Sequence, residues 1–147
     1  MSGNFVATSS ISIDAPPDRV WNVITDPAAV KEFMFGADLV TDWTVGGPIA
    51  WRGEWEGKPY EDKGEILEVA PGRKLVHTHF SPLGGQEDQP ENYHTLTWTL
   101  DEEHNATRLT LSQDNNASED AAEHSQGMWD MLVADVKQIA ERGQAPN

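Results

Sequence analysis

The feature that most constrains this chain is a change of hydrophobic period near Ser118. From Ala37 to Gln113 apolar residues alternate with polar ones, and turn-forming residues recur between the runs. Such alternation is the mark of half-buried strands. From Ser118 to about Arg142 the period becomes helical, with Met128, Trp129, Leu132, Val133, Val136, Ile139 and Ala140 on one stripe. An antiparallel sheet with one face to bury and a long amphipathic helix with a matching stripe cover each other.

The spacing predicts a first strand over Phe5–Ile13, with Phe5, Ala7, Ser9, Ile11 and Ile13 on one face. Asp14-Ala15-Pro16-Pro17 stops it and opens a short helix through Ile24, since proline is tolerated in a first helical turn. Asp26-Pro27 ends that helix, and a second covers about Ala28–Phe33. Six further strands are expected around Leu39–Trp43, Ile49–Trp55, Tyr60–Val69, Lys74–Phe80, Asn92–Leu100 and Thr107–Gln113. Gly46-Gly47, Gly57-Lys58-Pro59, Pro71-Gly72 and Glu102–Asn105 supply the turns, and Ser81–Glu91 reads as a loop. Ser118 is a good N-cap for the long helix, and Glu119, Asp120 and Glu123 suit its positive end.

Charge and composition exclude several functions. With 25 acidic and 10 basic residues the formal charge is −15, the wrong sign for nucleic acid or for an anionic membrane surface. There is no cysteine, hence no disulfide, thiol nucleophile or cysteine metal site. The opening MSGNFVATSS has neither a basic start nor an apolar run, and no stretch is apolar enough to span a bilayer, so a cytoplasmic location is expected. The 147 residues suit one domain.

The chemistry-bearing residues cluster on the expected strands. Trp51 and Trp55 are four apart and share a face with Ile49 and Gly53; Leu96, Trp98 and Leu100 share another. Pointing inward, these faces wall either a plain core or an apolar cavity for a small molecule. Met128, Trp129 and Leu132 on the long helix face the same space. His77 and His79 lie two apart, so both rings take one side of a strand, with Glu65 and His94 as the nearest candidate third ligands for a metal. Without HExxH or a cysteine ligand we expect no metal and no cofactor, and treat His77, His79, His94 and Tyr93 as polar groups able to reach into a cavity. No nucleophile elbow, phosphate loop or calcium loop is present in the sequence.

Four segments, in order, resemble the SRPBCC or START-like superfamily, and within it the branch named for homologues of the activator of heat-shock protein 90 ATPase. They are Ile11–Trp21, Gly64–Val76, Thr107–Leu111, and Gly127-Met128-Trp129 with Leu132 and Val136. The resemblance covers about Ser10–Glu141 and implies an α+β helix-grip fold. In that fold a curved antiparallel sheet of six or seven strands wraps a long C-terminal helix, with two short helices after the first strand. His79 stands where the family often has an aromatic residue, and Gln113 where a histidine is common. The resemblance implies a non-catalytic binding protein whose partner is a small apolar or aromatic ligand, with homodimerisation open. The ligand site would be drawn from Trp51, Trp55, His77, His79, His94, Leu96, Trp98, Met128, Trp129 and Leu132. Two other readings stand beside it. One is a cyclase- or hydrolase-type enzyme acting on a polyketide-like or aromatic substrate, which needs a histidine with a shifted pKa facing the cavity. The other is a stress-response or chaperone-regulating interaction protein, which a solidly packed interior would favour.

Overall fold

The computed structural model describes residues 5–34, 36–81, 87–104, 106–116 and 118–142. Strand β1 (Phe5–Ile13) leads into α1 (Pro17–Thr25) and α2 (Pro27–Phe33). Six strands follow: β2 (Asp38–Thr41), β3 (Pro48–Trp55), β4 (Lys58–Ala70), β5 (Lys74–His79), β6 (His94–Glu103) and β7 (Ala106–Asn116). Helix α3 (Glu119–Arg142) closes the described chain. The strands form one antiparallel seven-stranded sheet among the described residues, ordered β1-β7-β6-β5-β4-β3-β2. This is the helix-grip architecture expected from the change of period.

Local chemistry explains the element ends. Asp26 accepts a hydrogen bond from the Ala29 N–H at 3.1 Å and so caps α2. Ser118 Oγ does the same for α3, accepting from the Ala121 N–H at 3.0 Å. Residues Glu56 and Gly57, with φ of 50° and 80°, form a two-residue hairpin turn between the paired Trp55 and Lys58. The turn thus sits one position earlier than Gly57-Lys58-Pro59. Pro59 lies inside β4, pairing with Glu54 of β3, and the β5 ladder does not reach it, so its missing N–H costs no bond.

Strand β4 carries the bend of the sheet. Its first half, Lys58–Glu65, pairs with β3, and its second half, Ile66–Ala70, pairs with β5. Where the two ladders overlap, Gly64 approaches β5 so closely that a Cβ there would lie 1.8 Å from the Thr78 carbonyl oxygen. Only glycine permits that approach.

The core lies between the sheet's inner face and the helices. Ala7, Ile13, Ile49, Ile66, Leu75, Leu96, Leu100, Leu109 and Leu111 are buried from the strands, and Val20, Val23, Val30 and Phe33 from α1 and α2. Helix α3 buries Ala122, Trp129, Leu132, Val133, Val136, Ile139 and Ala140, packing chiefly on β1 and also against α1, β7 and α2. Phe5 departs from the face expected for it: a register irregularity between Phe5 and Ala7 leaves it exposed. The β2 strand ends at Thr41, because Trp43 takes a left-handed φ of 61°. No helix among the described residues is long and apolar enough to cross a membrane.

Candidate functional site

The inner face gathers a ring cluster where β3, β5 and β6 lie side by side. Alternation turns Trp51, His77, His79, Leu96 and Trp98 inward together. The Trp51 ring lies 5.1 Å from His77 and 5.3 Å from His79, centroid to centroid. Trp98 lies 6.5 Å from His77 and 6.3 Å from Phe33 of α2. Strands β3, β5 and β6 alone would leave this cluster open at the bottom; residues of α1, α2, β2 and the turn after it cover it.

The space enclosed is small. Ile24, Val30, Phe33, Met34, Leu39, Trp43, Ile49, Trp51, Leu75, His77 and Trp98 line a cavity of about 10 Å³. That is at the limit for one water molecule, far below the 300 Å³ or more typical of ligand pockets. The rim on one side is Met34, Leu39 and Trp43, all only partly buried. Larger hollows lie on the surface. One of about 480 Å³ runs along α1 and α2, where Arg19 is tied to the Ile139 and Ala140 carbonyls at the end of α3.

His77 is fully occupied. Its Nδ1–H donates to the Thr78 carbonyl at 2.9 Å, and its Nε2 accepts from the Trp98 indole N–H at 3.0 Å. Protonating Nε2 would set one N–H against another. Burial, outweighing the favourable Thr78 carbonyl and aided by the neighbouring His79, lowers its pKa from 6.5 to about 4. His77 is therefore neutral near pH 7 and offers the cavity a ring face, with no free nitrogen.

His79 is bound on one side only. Its Nε2 lies 3.1 Å from Asp62 Oδ2, while His79 Nδ1 and Asp62 Oδ1 are buried without a hydrogen-bond partner. His94, opposite His79 in the β5–β6 ladder, is half-buried, and its Nδ1 donates to the Asp114 carbonyl at 2.8 Å.

The remaining expected site residues divide. Leu96, Trp98, Trp129 and Leu132 are buried, and the Trp129 indole N–H reaches Gln113 Oε1 at 3.3 Å. Met128 is corrected: it is 44% exposed, because it sits about a quarter-turn from the centre of the buried stripe. Tyr93 turns to other work, stacking on Phe80 at 5.1 Å and donating to Asp88 at 2.6 Å. The Trp55 side chain lies outside the described residues. Glu65 is exposed, and no three His, Asp or Glu side chains among the described residues converge as a metal site.

Sequence reasoning missed Asp62, although its parity with Gly64 and Ile66 on one strand was available. It also missed the rim residues Met34, Leu39 and Trp43 as a set. They come from a helix end, an edge strand and a turn, and no single period joins them.

A sheet curved over a long helix, with an aromatic interior under two short helices, defines a helix-grip domain of the START-like class. Within that class the chain belongs to the family of activator of Hsp90 ATPase homolog 1-like proteins, whose model matches residues 14–141. ChR145 from Cytophaga hutchinsonii is 40% identical, with a TM-score of 0.85 over 99% of this chain and 100% of that one. The Aha1 dimer from Colwellia psychrerythraea is 17% identical, with a TM-score of 0.73 over 96% of this chain and 99% of that one. CalU16 from Micromonospora echinospora is 21% identical, with a TM-score of 0.69 over 95% and 86%. The last two share the fold. No curated protein matches the sequence.

Proposed function

We propose that this protein binds a small planar apolar molecule between the sheet and the α1–α2 cover, without transforming it. One observation carries the reading: Trp51, Trp98, Phe33, Trp43 and the His77 ring face surround one residual space between the sheet and the α1–α2 cover. Buried rings with a half-buried rim suit a site that opens when filled. Outward movement of Met34, Leu39 and Trp43 would expose apolar area worth about 25 cal/mol per Å² on burial by a ligand, before the costs of association.

The enzyme reading is weaker. His77 faces the cavity with a shifted pKa, as that reading requires, but both its nitrogens are engaged, so it has no proton to move. The interaction-protein reading is favoured by one fact, the 10 Å³ interior. On that reading the ring cluster is simply core and the surface carries the function.

Tryptophan fluorescence titrated with planar aromatics and fatty acids separates the two. Binding predicts a saturable change with at least one planar aromatic, weakened in Trp98→Ala and in the milder rim variant Trp43→Ala. No saturable change with any probe, or affinities untouched in both variants, would leave the interaction protein.

A further inference from the structure

Two buried side-chain atoms in the described structure lack a partner, and both belong to one pair. They are Asp62 Oδ1 and His79 Nδ1, on side chains joined to each other at 3.1 Å. Buried polar groups are nearly always satisfied, so an unpaired couple at one place asks for an explanation. His79 is only 9% exposed, and both atoms are shielded from bulk solvent.

The geometry suits one tautomer of His79, with its N–H on Nε2 donating to Asp62 Oδ2. Nδ1 then carries a lone pair. Both unpaired atoms are acceptors, and the group that completes them is a donor.

Position links the pair to the ring cluster. Trp51 is opposite Asp62 in the β3–β4 ladder, and its ring packs against both His79 and cavity-lining His77. It is the wall shared by the cavity and the pair. His94, across from His79, is turned to the Asp114 carbonyl through Nδ1 and makes no hydrogen bond to His79 Nδ1.

We propose that Asp62 and His79 are the polar recognition group of the apolar site, selecting planar ligands that carry a hydroxyl donor. The inference rests on the ligand-binding reading above. A ligand that shifts Trp51 uncovers Nδ1 and donates to it, while its ring takes the indole's place against His77. Asp62 acts through His79 as a positioning residue, setting the tautomer. A ring without the hydroxyl gains the same apolar burial but leaves the acceptor unpaired, which costs roughly tenfold in affinity.

The test compares naphthalene with 2-naphthol on the full chain, by fluorescence and by ¹⁵N NMR of labelled histidines. The expected result is 2-naphthol binding about tenfold or more tighter. The His79 Nδ1 signal should be that of an unprotonated nitrogen in the free protein and should move with 2-naphthol alone. In His79→Phe the ratio of the two affinities should fall to about one. Asp62→Asn, which keeps the shape of the carboxylate, should weaken the preference and decides the matter should His79→Phe fail to fold. Equal affinities, a preference surviving both substitutions, or a protonated Nδ1 in the free protein would overturn the inference and leave the binding reading standing. If neither probe binds, both fall.

Discussion

His77 makes the most exact demand on solution conditions. In the unfolded chain its pKa is near 6.5, and in the fold about 4. The unfolded chain therefore takes up the proton first as pH falls. The contribution is complete above about 6.5 and disappears between there and about 4, amounting to about 3 kcal/mol. Urea unfolding across that range should show stability falling with acid, with a shallower fall in His77→Gln. Identical slopes would mean His77 is not buried neutral. Trp129 makes a second demand. It anchors α3 and bonds Gln113, so Trp129→Ala should cost about 3–5 kcal/mol. A loss under about 1 kcal/mol would remove it from the core. At this scale the sequence showed which residues share a strand face, Trp51 with Ile49, His77 with His79, Leu96 with Trp98, but not which face turns inward, because a single bulge reverses the alternation. The partners of those residues were not legible. The Trp98–His77 bond joins residues 21 apart, and the Asp62–His79 pair joins residues 17 apart across a bent strand. Met128 went astray because a helical stripe has soft edges, and a residue at its border reads either way.

Among the elements, β4 shows where pattern stops and geometry begins. The change of period, the proline stops and the Ser118 cap were enough to place all seven strands and three helices in order. Alternation could not reveal that one strand serves two ladders, because that depends on Gly64 meeting the Thr78 carbonyl. Gly64→Ala should therefore destabilise by more than about 2 kcal/mol, since the added carbon meets backbone that cannot rotate away. Gly127→Ala, on the exposed side of α3 with open space around it, should be neutral or slightly stabilising. Urea midpoints of the two variants, measured side by side, check the pair. A Gly64→Ala chain as stable as the parent would mean the bend is not where the sheet places it.

For the whole molecule, the acidic surface and the enclosed rings pull apart two roles. A formal charge of −15 disfavours anionic partners. On the proposed ligand-binding reading, the cavity of about 10 Å³ has to widen as it fills, so that recognition and opening are one event. The most direct measurement is a two-dimensional ¹H–¹⁵N spectrum titrated with 2-naphthol, following the six indole N–H signals and the backbone of Met34 to Trp43. Ligand entry beneath the rim should give saturable shifts at the Trp51 and Trp98 indoles together with the Met34, Leu39 and Trp43 amides. Shifts confined to surface residues, or none at all, would contradict it.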